Sequence, residues 1–177
     1  MEDVLGFGSG KDKMTELVMW KAMPPAEVCD LMDFWAAVAW PLTHEEVQRL
    51  AVERFGWSIE VEDGTRYLMN HVSGFTIPDV STIGSKGDLS YITLRISDVI
   101  RQITPESTEF LGDNFALVVC EGRQRWGSPH IRKVQGGESA SWNLPSGARI
   151  TVNLNPKSLS AMFHTPQGVE LDRNSGY

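Results

Sequence analysis

Three short turns constrain this chain more than any other feature. Asp63-Gly64, Gly136-Gly137 and Pro145-Ser146-Gly147 each fall between strand-like runs. A connection that short can only join antiparallel neighbours, because a parallel crossover needs a dozen or more residues. The order of elements is helix, helix, strands, helix, strands, and strands do not alternate with helices. The expected fold is therefore α+β. It has an antiparallel sheet of about five or six strands, with two N-terminal helices and one central helix segregated onto one face.

The first helix is expected over 25–40. Pro24-Pro25 opens it, and Val28, Leu31, Met32, Trp35, Val38 and Ala39 recur at helical spacing before Trp40-Pro41. The second has a capping box in Thr43 and Glu46, a staple pair in Leu42 and Val47, and a stop at Gly56. The third starts at Thr104-Pro105, presents Leu111, Phe115, Val118, Val119 and Trp126 on one face, and ends at Gly127.

Strands are read from period-2 alternation. Trp57, Ile59 and Val61 alternate with Ser58, Glu60 and Glu62, and 65–72 should pair back across the turn. Leu89–Ile96 is the clearest central strand, and 130–135, 138–144 and 149–154 supply three more. Trp35, Phe55, Ile92, Leu94, Phe115 and Val119 are expected in the core. Residues 1–16 are expected to be a flexible leader, 17–164 a single domain, and 165–177 a mobile polar tail.

Charge narrows the choice of partner. Residues 1–63 carry 13 acidic and 5 basic residues, a balance of −8; residues 64–177 carry 10 and 11, a balance of +1, giving −7 overall. Phosphate contacts need Lys and Arg, so the excess disfavours nucleic acid. An acidic face can instead steer a basic protein, here through Asp30, Asp33, Glu45, Glu53, Glu60 and Glu62. The longest apolar stretch, Phe34–Leu42, is far short of the roughly 20 residues that span a membrane. No basic-then-apolar signal opens the chain, so a cytoplasmic location is expected. Cys29 and Cys120 both fall in helical patterns and are expected as buried, reduced thiols.

Catalytic patterns are lacking, and no enzyme activity, cofactor or metal is expected. Gly6–Asp12 resembles a phosphate loop only loosely: Leu5 stands where its first glycine belongs, and Asp12 where Ser or Thr belongs. His44, His71, His130 and His164 are scattered singly, without ligand spacing. No serine occupies a nucleophile elbow, and neither cysteine has an activating neighbour. What stands out is 73–88, rich in Gly, Ser and Pro and expected as a loop of about 16 residues with room for one short strand, a length that is often functional. Ser81, Ser85, Lys86 and Asp88 within it are candidate partner contacts. Trp20 and Tyr67 are candidate surface anchors.

Several segments resemble a bacterial family of small domains of unknown function of the high-GC Gram-positive type. They are Trp20, Ala26-Glu27-Val28, Ala39-Trp40-Pro41-Leu42-Thr43, Phe55-Gly56-Trp57, Ile92–Asp98, Trp126-Gly127, and Trp142 ahead of Gly147. The resemblance spans roughly 17–160 and brings no catalytic residues. It implies an immunity protein that binds and neutralises a cognate secreted toxin domain by protein contact. The alternative is a secretion chaperone that grips an export segment.

Overall fold

The structure, a computed structural model, describes residues 19–176. The loop-like glycines of 6–12 and the rest of the leader lie outside the described residues.

Each helix starts where its cap stands. The first, α1 (Pro25–Ala37), has proline in its first turn and buries Val28, Cys29, Leu31, Met32 and Trp35. It stops three residues before the expected end, at an extended Val38. The second, α2 (His44–Phe55), has the full capping box. Glu46 N–H donates to Thr43 Oγ1 at 3.2 Å, and Thr43 N–H donates to Glu46 Oε2 at 2.8 Å. Gly56 ends it at φ 70°, in the left-handed region that favours glycine. The third, α3 (Pro105–Trp126), is capped by Thr104 and Ser107.

Among the described residues eight strands form one sheet, more than the expected five or six: β1 (Ser58–Glu62), β2 (Thr65–Met69), β3 (Asp79–Ser85), β4 (Asp88–Arg95), β5 (His130–Val134), β6 (Gly137–Asn143), β7 (Arg149–Leu154) and β8 (Leu159–His164). The order is β1-β2-β3-β4-β8-β7-β6-β5, and every neighbouring pair is antiparallel. The two additional strands are β3 and β8. Strand β3 occupies much of the stretch expected as a loop. Its Gly and Ser are compatible with a strand because its partner β4 supplies the ladder. The Asp63-Gly64 turn forms with both residues at positive φ. The turn between β5 and β6 is Gln135-Gly136, one residue before the expected dipeptide, because Gly137 already pairs with Val134. Strand β2 ends at Met69 and gives way to a 3₁₀ turn, His71–Ser73.

Helices α1, α2 and α3 cover one face. Leu68, Ile92, Leu94, Phe163, Ile150, Ala140 and Trp142 meet Val28, Met32, Trp35, Val47, Leu111 and Phe115 in a continuous core. Trp126 meets Trp142 edge-on at 5.2 Å, and Trp40 stacks on Phe163 at 5.7 Å. All the expected core residues are buried except Phe55, which is half-buried. Cys29 is buried as expected, and burial pushes its thiol up to about 12. Cys120 is exposed, on the outer side of α3, which corrects the expectation of two buried thiols.

The opposite face is polar. Ser81, Thr93, Met162, Thr151, Ser141 and His130 form one register-aligned row across six strands. A fourth helix, α4 (Pro166–Asn174), forms where a polar tail was expected. Thr165 caps it: Gly168 N–H donates to Thr165 Oγ1 at 3.0 Å, and that hydroxyl donates to Leu89 O at 2.8 Å. It reaches Tyr91 and His164, whose side chains belong to the polar face, so the helices are not all on one side.

Candidate functional site

The sheet is split at one end. Pairing between β2 and β3 is confined to Leu68–Val80 and Met69–Asp79. Beyond those two rungs no ladder joins the β1–β2 hairpin to the β3–β4 hairpin. A notch opens between Thr65–Tyr67 and Ser81–Ser85, with a strand backbone on either side. Along the same stretch β3 slips register against β4 between Ile83 and Gly84.

Helix α2 bridges the back of the notch. Gln48, buried against the hairpin, donates from Nε2 to Arg66 O at 3.4 Å. One turn earlier His44 Nδ1 lies 3.2 Å from Thr82 Oγ1. Gly84 is required there, because a Cβ would stand 2.5 Å from His44 Nε2 and 2.7 Å from Asp88 O. Leu89 N–H donates to Leu42 O at 2.8 Å, tying the same hairpin to the start of α2.

The rim is unusually open. Val61 is 66% exposed, Ile83 56% and Tyr67 46%. On the helix-covered side, near Val61, lies a groove of about 470 Å³ lined by Glu45, Arg49, Val52, Glu53, Ile59 and Arg66. Lys86 forms the exposed tip of the β3–β4 hairpin at φ 54°.

The structure sorts the sequence-derived contact residues into two groups. Ser81, Ser85, Lys86 and Asp88 lie on the β3–β4 hairpin, Glu60 and Glu62 on β1, and Glu45 on α2, so these seven surround the notch. Ser81 and Ser85 belong to a strand and not to a loop. Glu60 accepts from His71 Nε2 at 2.8 Å, at an exposed position. Asp30 and Asp33 lie elsewhere. They face α3, where Arg125 Nη1 donates to Asp30 at 2.6 Å and to Asp33 at 3.0 Å. Asp33 also accepts from Trp126 Nε1 at 2.7 Å. Their charge is already used in joining α1 to α3. Trp20 packs on Phe110 at 5.5 Å and is only half exposed. Sequence reasoning missed Ile83, and its place in an apparently irregular segment hid it. It also missed the His44–Thr82 and Gln48–Arg66 contacts, which join residues remote in sequence.

A second polar array lies under α4. Tyr91 Oη donates to Asp172, and His164 Nδ1 lies 3.6 Å from the same carboxylate, too far for a hydrogen bond. His164 Nε2 lies 3.2 Å from Thr151 Oγ1, which is 3.0 Å from Ser141 Oγ. Burial, then Arg149, holds the imidazole below its ordinary value of 6.5, against the pull of Asp172. Burial and the Asp172 contact push the Tyr91 phenol up to about 12. Hydroxyl, imidazole and carboxylate follow the order of an acyl-transfer relay. The imidazole here is buried, however, and the contacts join four strands to a helix. The array holds α4 on the sheet.

Among the described residues no three His, Cys, Asp or Glu side chains come together to hold a metal. No helix among them is long and apolar enough to cross a membrane. The chain belongs to DUF6301, a family of unknown function, whose model matches residues 26–165. That match contains both hairpins, α2 and the notch, and stops before α4. Neither a curated protein nor a solved structure matches the chain.

Proposed function

We propose that this DUF6301 protein is an immunity protein, and that it neutralises a cognate secreted toxin by seating a basic part of it against the notch. The supporting observation is the split between β2 and β3. That sheet end exposes Tyr67 and Ile83 on the polar face with Glu60 and Glu62, and Val61 on the helix-covered face near Glu45 and Glu53, so apolar side chains stand next to acidic ones on both faces. Interfaces are built that way, with aromatic anchors surrounded by charge. The His44, Gln48 and Leu42 contacts hold the two hairpins at a fixed spacing. The surface is therefore formed before a partner arrives, which lowers the entropy cost of binding.

The test begins with the neighbouring genes: a secreted protein with a C-terminal toxin domain encoded beside this one supplies the candidate toxin for co-expression. Protection of the cells, and a stoichiometric complex with the folded toxin domain, are the expected outcomes. A chain that binds only the isolated export segment of that toxin, and leaves its activity intact, would make the protein a secretion chaperone instead.

A further inference from the structure

The two outer strands of the sheet are complementary to each other. Strands β1 and β5 close the order at either end, and among the described residues no strand pairs with their outer edges. Each is five residues long: Ser-Ile-Glu-Val-Glu and His-Ile-Arg-Lys-Val. One is acidic and the other basic.

The register shows which residues share a face. Ile59 aligns with Leu68, Val80 and Leu94, so Ile59 and Val61 lie on the helix-covered side, and Glu60 and Glu62 on the polar side. At the other end Arg132 aligns with Ser139, Asn153 and Ser160, so His130 and Arg132 lie on the polar side, and Ile131 and Lys133 on the helix-covered side. Ile131 and Val134 are both exposed on β5.

Direction completes the match. With eight strands and seven antiparallel pairings, β1 and β5 run opposite ways. A second copy placed edge to edge in the same orientation therefore presents its β5 antiparallel to β1, with the polar faces continuous. Setting Glu60 opposite Arg132 puts Glu62 opposite His130 and Val61 opposite Ile131. Glu60 then meets Arg132 beside Glu62 and His130 on the polar side, while Val61 meets Ile131 and the Ile59 position meets Lys133 on the other. Pairing β1 with β1, or β5 with β5, sets like charges against each other and is disfavoured. Charged edges usually guard a sheet against promiscuous pairing. Here they repel every pairing of like edges and permit the unlike one.

We infer that the protein associates with itself head to tail, β1 of one copy adding to β5 of the next. The contact is heterologous, so it does not close into a two-fold dimer. Its β1 edge shares Glu60, Val61 and Glu62 with the proposed toxin surface, but the contact is between copies of this chain and its test needs no toxin.

Sedimentation velocity over a concentration series tests it. The weight-average mass should rise above the 19.7 kDa of one chain, more steeply at low salt than at high salt. Glu60→Lys with Glu62→Lys should return the mass to one chain, and so should Arg132→Glu with Lys133→Glu. An equimolar mixture of the two variants should associate again, since each reversed edge fits the other. Thermal unfolding of each variant separates loss of the edge from loss of the fold. If a reversed edge unfolds, Glu60→Gln and Arg132→Gln carry the same expectation at smaller amplitude. A wild-type protein that stays at one chain's mass throughout overturns the inference. So does association that survives either reversal.

Discussion

Strands β7 and β1 alternate in the same way, yet their surroundings differ completely. In β7, Ile150 and Val152 are fully buried between two full-length neighbours and beneath α3. In β1, Ile59 is half-buried and Val61 stands mostly in solvent. Strand β7 is laddered on both sides through six rungs each. The β1–β2 hairpin is attached to the rest of the sheet by two. The comparison teaches that alternation fixes which way a side chain points, and not whether anything covers it. Coverage comes from other elements, and here it thins toward the notch.

The largest expected effect lies on the covered side. Trp35 is fully buried against Phe34, Trp40 and Phe55. Trp35→Ala should cost about 3–5 kcal/mol in denaturant unfolding. Its Nε1 has no acceptor among the described residues, so Trp35→Phe should cost distinctly less. Ile150→Ala should cost about 2–5 kcal/mol, whereas Val61→Ala in the hairpin should stay within about 0.5 kcal/mol. Equal losses at Ile150 and Val61 would erase the contrast between the two halves.

The attachment of α4 is the next place to break the comparison. A Cβ on Gly168 would stand 2.2 Å from Ser90 O, which is backbone and cannot move aside. Gly168→Ala should cost about 1–3 kcal/mol and expose α4 to limited proteolysis. Cleavage there as slow as in the wild type would show that the helix docks some other way.

A smaller effect is expected from pH. Because burial lowers His164, the unfolded chain takes up the proton first. That contribution to stability is full above pH 6.5 and declines as pH falls below it. Unfolding free energies measured through that window should fall less steeply in His164→Gln. Identical slopes would remove His164 from the account.

These contrasts mark what was legible. The caps at Thr43 and Thr104, the stop at Gly56 and the Asp63-Gly64 turn act within a few residues, so their geometry follows from local sequence. Two errors came from reading composition as conformation. The segment 79–85 looked too rich in small residues for a strand, but β4 supplies its ladder. The residues after Thr165 looked polar, but Thr165 caps a helix whose Gly168 allows close approach to β4. Strand β8 shows period-2 alternation of Leu159, Ala161 and Phe163, and could have been found. Seven of the nine proposed contact residues surround the notch, because the charged and small residues of 45–88 fold onto one end of the sheet. Asp30 and Asp33 lie away from the notch, and only the tertiary fold brings Arg125 to them.

Salt offers a milder probe of the notch. Exposed charges are screened over about 10 Å at 0.1 M, so association with the toxin should slow as salt rises. Stopped-flow rates that ignore salt would rule out steering by Glu45, Glu60 and Glu62.

The most direct test measures affinity for the cognate toxin domain in Tyr67→Ala and Ile83→Ala. Both residues flank the notch and carry little of the core. Each variant should unfold at the wild-type temperature yet bind about 30-fold more weakly, on the order of 2 kcal/mol. Unchanged affinity in both variants, with the toxin still neutralised, would contradict the notch as the docking surface.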